Sequence, residues 1–121
     1  MKQNGTGWLL NLRFRLFNDG LGFRYEFPVQ KELRHFTVNE EETEFRLTGD
    51  HKAFWLPGDY DTNEYPTTTS KLSEVASLID SVRQEPLAIR SATPNLAVQS
   101  PLMLKSAEGL YINIHEAALV N

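Results

Sequence analysis

There is no cysteine anywhere in the 121 residues, so disulfides, thiolate metal sites and a cysteine nucleophile are excluded together. No apolar run comes near the roughly 18 residues that a membrane-spanning helix needs. Met1 to Gly7 likewise lacks the apolar core of a secretory signal. The chain as written is expected to be soluble and untargeted, without a membrane partner. Positive charge is short as well: 12 Lys and Arg stand against 16 Asp and Glu, for a formal net charge of -4. Such a balance offers no basic field for a phosphate backbone and argues against nucleic acid. Short catalytic and cofactor signatures are absent too, with no GxSxG, no Walker loop, no GxGxxG and no zinc spacing.

What the sequence does have is enough bulk for one core. The 40% hydrophobic and 11% aromatic content is that of a soluble globular protein, and the length suits one domain better than two, so residues 1–121 are expected to form a single domain. Leu10 to Leu16 alternates apolar with polar, Asn18-Asp19-Gly20 intervenes, and Leu21 to Phe27 alternates again before Pro28. This pattern predicts a hairpin, with Asp-Gly supplying the positive φ of a tight turn and with Leu12, Phe14, Leu16, Phe23 and Tyr25 facing inward. Arg13, Arg15, Arg24 and Glu26 fall on the opposite face, where cross-strand ion pairs or a bound anion are both conceivable. Val29 to Arg34 reads as a loop. His35 to Asn39 and Thr43 to Thr48 alternate on either side of Glu40-Glu41-Glu42, which predicts a second hairpin with a solvated acidic turn.

Lys52 to Leu56 reads as a short strand closed by Pro57-Gly58. In the loop that follows, Asp59, Asp61 and Asn63 repeat the opening of a calcium loop, but Glu64 stands where the glycine belongs and Ser70 where the bidentate Glu belongs. Trp55, Tyr60 and Tyr65 are candidates for stacking on sugar rings, core packing being the alternative for each. Ser73 to Val82 has the cap and the apolar spacing of a short helix, with Val75, Leu78, Ile79 and Val82 on one face. Pro86 and Pro94 then mark an irregular connection. Leu96 to Lys105 returns to strand character around Pro101, and Ser106 to Gly109 turns the chain into a last hairpin.

That last strand, Gly109 to Leu119, reads as an inner strand that ends in a carboxylate. Leu110, Ile112 and Ile114 share one face of the pleat, Tyr111, Asn113 and His115 the other. Glu116 falls in phase with the apolar face. A charge buried there without a partner costs several kcal/mol, on the order of the penalty for one desolvated ion, so it either leaves the sheet at the strand end or meets a cation. Hairpins at short spacing, little helix and no βαβ alternation predict an all-β antiparallel sandwich with at most one short helix near residues 73–82. The chain stops in apolar sequence at Val120-Asn121, which suggests a piece of something longer.

Four blocks in order carry a family resemblance: Phe17 to Tyr25, Gly49 to Trp55, Pro57 to Tyr65 and Gly109 to Ala117. Together they resemble the N-terminal domain of glycoside hydrolase family 97, bacterial enzymes that cleave α-glucosides or α-galactosides. The resemblance implies a β-sandwich of the super-sandwich type, followed in the parent enzyme by a catalytic (β/α)₈ barrel that holds the acid and the base or nucleophile. No catalytic residue is therefore assigned to this chain, which alone is expected to hydrolyse nothing. The resemblance also implies a calcium ion ligated mostly by the barrel, with one Glu reaching in from the sandwich; the matching position is Glu116. Calcium takes six to eight oxygens, so none is expected on the isolated domain. The expected partners are the barrel and a carbohydrate substrate, with self-association of the isolated piece through the uncovered interface. The family points to the periplasm. The competing reading is a free-standing carbohydrate-binding sandwich that uses Trp55, Tyr60 and Tyr65.

Overall fold

The computed structural model describes residues 1–84 and 92–117. Pro86 in the expected irregular connection, and the last residues of the expected final strand from Ala118 on, lie outside the described residues. The strands are β1 (Asn11–Leu16), β2 (Leu21–Glu26), β3 (Lys52–Trp55), β4 (Thr68–Lys71), β5 (Leu102–Lys105) and β6 (Tyr111–Ile114); one helix, α1 (Val75–Val82), follows a 3-10 turn at Leu72–Glu74. β1 and β2 form a two-stranded sheet, and the other four pair in the order β4-β3-β5-β6. Every named pairing is antiparallel. The all-β antiparallel class and the single short helix are as the alternation predicts. The chain divides into two compact units, Met1–Glu44 and Phe45–Asn121.

In the first unit the hairpin register sets Leu12 opposite Tyr25, Phe14 opposite Phe23 and Leu16 opposite Leu21, so the expected apolar residues do share one face. Aromatic contacts run along it, Phe14 to Phe23 at 6.1 Å and Phe23 to Tyr25 at 6.0 Å between ring centroids. The face is not, however, buried as expected: Phe14 is 62% exposed and Leu16 81%. Period-2 alternation sets which side chains stand together, whereas burial requires a second layer, and two strands are too few to supply one. The turn also differs. The loop from Phe17 to Gly20 closes through the Phe17 N–H on the Gly20 carbonyl at 2.8 Å, and neither Asp19 nor Gly20 adopts positive φ. The turn is closed by that one bond and does not take the mirror-image form expected.

On the polar face Arg13 lies directly opposite Arg24, a like-charge pair that would destabilise the ladder. Glu26 resolves it. Arg13 Nε donates to its Oε2 at 2.8 Å and Arg24 Nη2 to its Oε1 at 2.9 Å. The Arg13 hydrogen bond, before all other causes, holds the Glu26 carboxyl below its ordinary value of 4.5. The expected second hairpin does not form: no strand or bridge falls between residues 34 and 48. Its turn would have set three adjacent carboxylates, Glu40 to Glu42, where a tight turn needs a residue of positive φ, and none of them takes it.

The second unit holds the core. On β3, Ala53 and Trp55 point to one face; across the ladder that face continues through Leu104 and Leu102 of β5 and Ile112 and Ile114 of β6. Val75 and Ile79 of α1 cover it, with Leu78 and Val82 packed alongside, the four residues whose spacing predicts the helix. Ala53 and Leu104 are 0% exposed. The Trp55 indole N–H, buried with its ring, donates to Ser70 Oγ at 3.0 Å. β4 was not expected from the sequence, although Thr68, Thr69 and Ser70 include β-branched residues suited to a strand. The 3-10 turn that leads into the helix is tied from a distance: Asp50 accepts both the N–H and the hydroxyl of Ser73 at 2.9 Å, and the Ser73 N–H is the leading cause that lowers the Asp50 carboxyl from its ordinary value of 3.8. β6 pairs with β5 alone, so among the described strands it is an edge strand, not the inner strand expected. Its apolar side chains are half-buried because the pleat presents one face to α1 whether or not a further strand pairs.

After β3 the chain is joined to the segment before β5. Gly58 N–H donates to Ala97 O at 2.7 Å, Thr93 N–H to Gly58 O at 3.1 Å and Gln99 N–H to Leu56 O at 3.0 Å. A side chain at residue 58 would stand 2.6 Å from Thr93 Cγ2 and 2.8 Å from Ala97 Cβ, so the close approach requires glycine. Gly58→Ala is expected to destabilise this unit by about 1–3 kcal/mol, the usual scale of overpacking. Urea unfolding checks this, and wild-type stability would show that the approach relaxes freely. A second expectation concerns Glu26. Its folded-state value is depressed, so its contribution is present above pH 4.5 and is lost as pH falls through the folded value. Amide exchange in β1 and β2 should therefore be faster in Glu26→Gln than in wild type at neutral pH, and the difference should shrink as pH is lowered below the ordinary value of 4.5. No difference at neutral pH would show that Glu26 does not hold the arginines apart.

Candidate functional site

The ladder between β5 and β6 ends at Leu102 opposite Ile114. One step further the register would set Pro101 opposite His115, a pair that carries no main-chain bond between these two strands. A second step would set Ser100 opposite Glu116. There a side chain takes over from the backbone: the Glu116 N–H donates to Ser100 Oγ at 3.3 Å, and the same oxygen lies 2.8 Å from His115 Nδ1. Glu116 thus leaves β6 just past its last pair, exposed, with no partner for its carboxylate among the described residues. Of the two outcomes open to a charge in phase with the apolar face, the structure shows departure at the strand end.

Ser100 also stands at the edge of an open cleft of about 500 Å³, lined by Tyr60, Thr93, Asn95, Gln99 and the backbone at Gly58. Gln99 Nε2 donates to Thr62 O at 2.8 Å and ties one wall to the loop after β3. Asp59 turns that loop. Its Oδ1 accepts the N–H groups of Asp61 and Thr62, both at 2.9 Å, and its Oδ2 accepts the Tyr65 hydroxyl at 2.8 Å. The first residue of the calcium-like repeat, Asp59, is therefore used to fold the chain back on itself, an Asx turn. Burial, and then the bond to Asp59, push the Tyr65 hydroxyl up to about 12.

The three aromatic candidates are thus divided. Trp55 is in the core with its N–H on Ser70, and Tyr65 is buried with its hydroxyl on Asp59. Tyr60 alone of the three offers its ring to solvent, at 73% exposure, on the wall of the cleft. As to cations, among the described residues no three His, Asp or Glu side chains converge. Glu116 has the donor chemistry for a hard cation, an exposed carboxylate, and can supply one ligand of the six to eight that calcium takes. The remainder would have to come from outside this chain's described residues.

Ser100 has no counterpart in the sequence reading. The signal that finds it is the hairpin register, and that depends on whether the loop after β5 holds three or four residues. The structure settles on Ser106 N–H donating to Leu110 O at 2.8 Å, with Gly109 at φ +89°. This is a three-residue loop with a left-handed glycine at its end. A slip by one residue would have set Pro101 opposite Glu116.

The profile described as Glycosyl-hydrolase 97 N-terminal matches residues 1–121, the whole of the chain. The four sequence blocks that carry the resemblance all fall within the match. The chain belongs to the glycosyl-hydrolase 97 N-terminal family.

Proposed function

We propose that this non-catalytic domain of a glycoside hydrolase serves a calcium-dependent, exo-acting α-glycosidase, acting on α-glucosides or α-galactosides, and that Glu116 contributes one ligand to the calcium site of the catalytic domain. The observation that carries the reading is the place of Glu116: a carboxylate set free at the end of a strand whose ladder has just stopped, without a partner among the described residues. Calcium, where bound, supplies a fixed positive charge beside the reacting sugar. This chain's part is to present a single oxygen donor from a rigid sheet. The core of Ala53, Trp55 and Leu104 supplies the rigidity, because it fixes β5, and β5 fixes β6. The exposed apolar face of Phe14 and Leu16 supports packing against another part of the enzyme, since uncovered apolar surface of this kind marks an interface.

The test uses the protein that carries this domain together with its catalytic domain. Glu116→Gln removes one anionic oxygen while keeping the side chain's size, and should weaken calcium binding by at least about tenfold, with a matching loss of activity at limiting calcium. Thermal melting of the metal-free protein should be unaltered, because the carboxylate bonds nothing among the described residues. Calorimetric titration of calcium into wild type and variant decides the matter; equal affinities would remove Glu116 from the site.

A further inference from the structure

We infer that Ser100 is a positioning residue for Glu116: its hydroxyl accepts the Glu116 N–H at the register position where a main-chain carbonyl would otherwise do so, and so sets the direction in which Glu116 leaves β6. The inference rests on Glu116 being a cation ligand, and it adds the group that aims that ligand. Beyond Ile114 the β5–β6 ladder has no main-chain bond left to hold the strand. A free chain end there would let the carboxylate sample many directions, and each unneeded direction lowers the affinity of a site built across two domains. Ser100 Oγ closes that freedom at two points. It accepts the Glu116 N–H at 3.3 Å and shares a hydrogen bond with His115 Nδ1 at 2.8 Å. The ring of His115 and the backbone of Glu116 are thereby tied to one oxygen.

The oxygen is itself well anchored. Gln99, the residue before it, gives its N–H to Leu56 O at 3.0 Å and its side chain to Thr62 O at 2.8 Å, so Ser100 is held to the segment that follows β3. A chain of contacts then runs from the core through β3, Leu56 and Gln99 to Ser100 and out to Glu116. Outer groups that orient a metal ligand typically govern affinity by about 10–100-fold when removed. Nothing in the fold's core depends on Ser100, which is exposed. Its loss should therefore show in cation binding and leave unfolding unchanged.

The experiment compares Ser100→Thr with Ser100→Val, two side chains of the same shape that differ in one hydroxyl and that both favour the extended backbone required before proline. In the protein carrying the catalytic domain, calcium titration should give wild-type affinity for Ser100→Thr and about tenfold weaker binding for Ser100→Val, with equal melting temperatures without metal. In the present chain, hydrogen exchange of the Glu116 amide should be protected in wild type and Ser100→Thr and accelerated in Ser100→Val. Equal calcium affinity of the Thr and Val variants, in a background where Glu116→Gln does weaken binding, would overturn the positioning role and leave Glu116 as a ligand. If Glu116→Gln also binds calcium as wild type does, the ligand reading falls and this inference falls with it.

Discussion

The burial of Ala53, Trp55 and Leu104 beneath Val75 and Ile79 is the interaction on which the larger unit depends. Burying a side chain the size of Leu contributes about 1.5–3 kcal/mol, whereas an exposed ion pair contributes about 0–1 kcal/mol, so the apolar contact between sheet and helix outweighs the surface charges around it. β3 is central because it carries two of these residues and pairs on both sides, with β4 and with β5. β4 follows from Trp55, whose indole N–H must find an acceptor once buried and finds it on Ser70. β5 follows from Leu104, and β6 from the register that sets Leu104 opposite Ile112. The position of Glu116 is the last consequence of that series.

The first unit is built on the opposite balance. Its hairpin has a well-ordered apolar column and a polar face in which one carboxylate reconciles two guanidinium groups, yet the column stays exposed. Two strands cannot bury their own face, and isolated hairpins are marginal in water. Aromatic pairs along the face contribute about 0.5–1.5 kcal/mol each, enough to align the side chains and not enough to replace a second layer. Such a surface is suited to a domain whose working state includes a partner, which is the setting of an N-terminal domain in a glycoside hydrolase.

Electrostatics on the described surface is mostly structural. Asp50 caps the helix region through Ser73, Asp59 folds its own loop and holds Tyr65, and Glu26 bridges Arg13 and Arg24. Each of these carboxylates is satisfied by hydrogen bonds within its own unit. Glu116 differs from them in having its carboxylate left over after its backbone has been tied. Its place at the end of β6, rather than any convergence of acidic groups, marks it as the residue to test.

Much of this was written in local patterns. Alternation from Leu12 to Tyr25, the Lys52 to Trp55 strand, the apolar spacing of Val75, Leu78, Ile79 and Val82, and the phase of Ile112, Ile114 and Glu116 are nearest-neighbour properties, and a period of 2 or 3.6 is visible without any partner. The four family blocks are likewise sequence. Pairing and burial are not local. Whether the alternating runs around Glu40 to Glu42 would meet, whether Thr68 to Lys71 would join β3, and whether Trp55 and Tyr65 would sit inside while Tyr60 faced solvent each depended on which strand lay alongside. The register of one three-residue loop then chose Ser100 as the residue opposite Glu116. The sequence by itself determined which side chains share a face and which carboxylate ends the last strand; only the tertiary structure decided what covers those faces and which hydroxyl holds that carboxylate's backbone, because both depend on contacts between residues far apart in the chain.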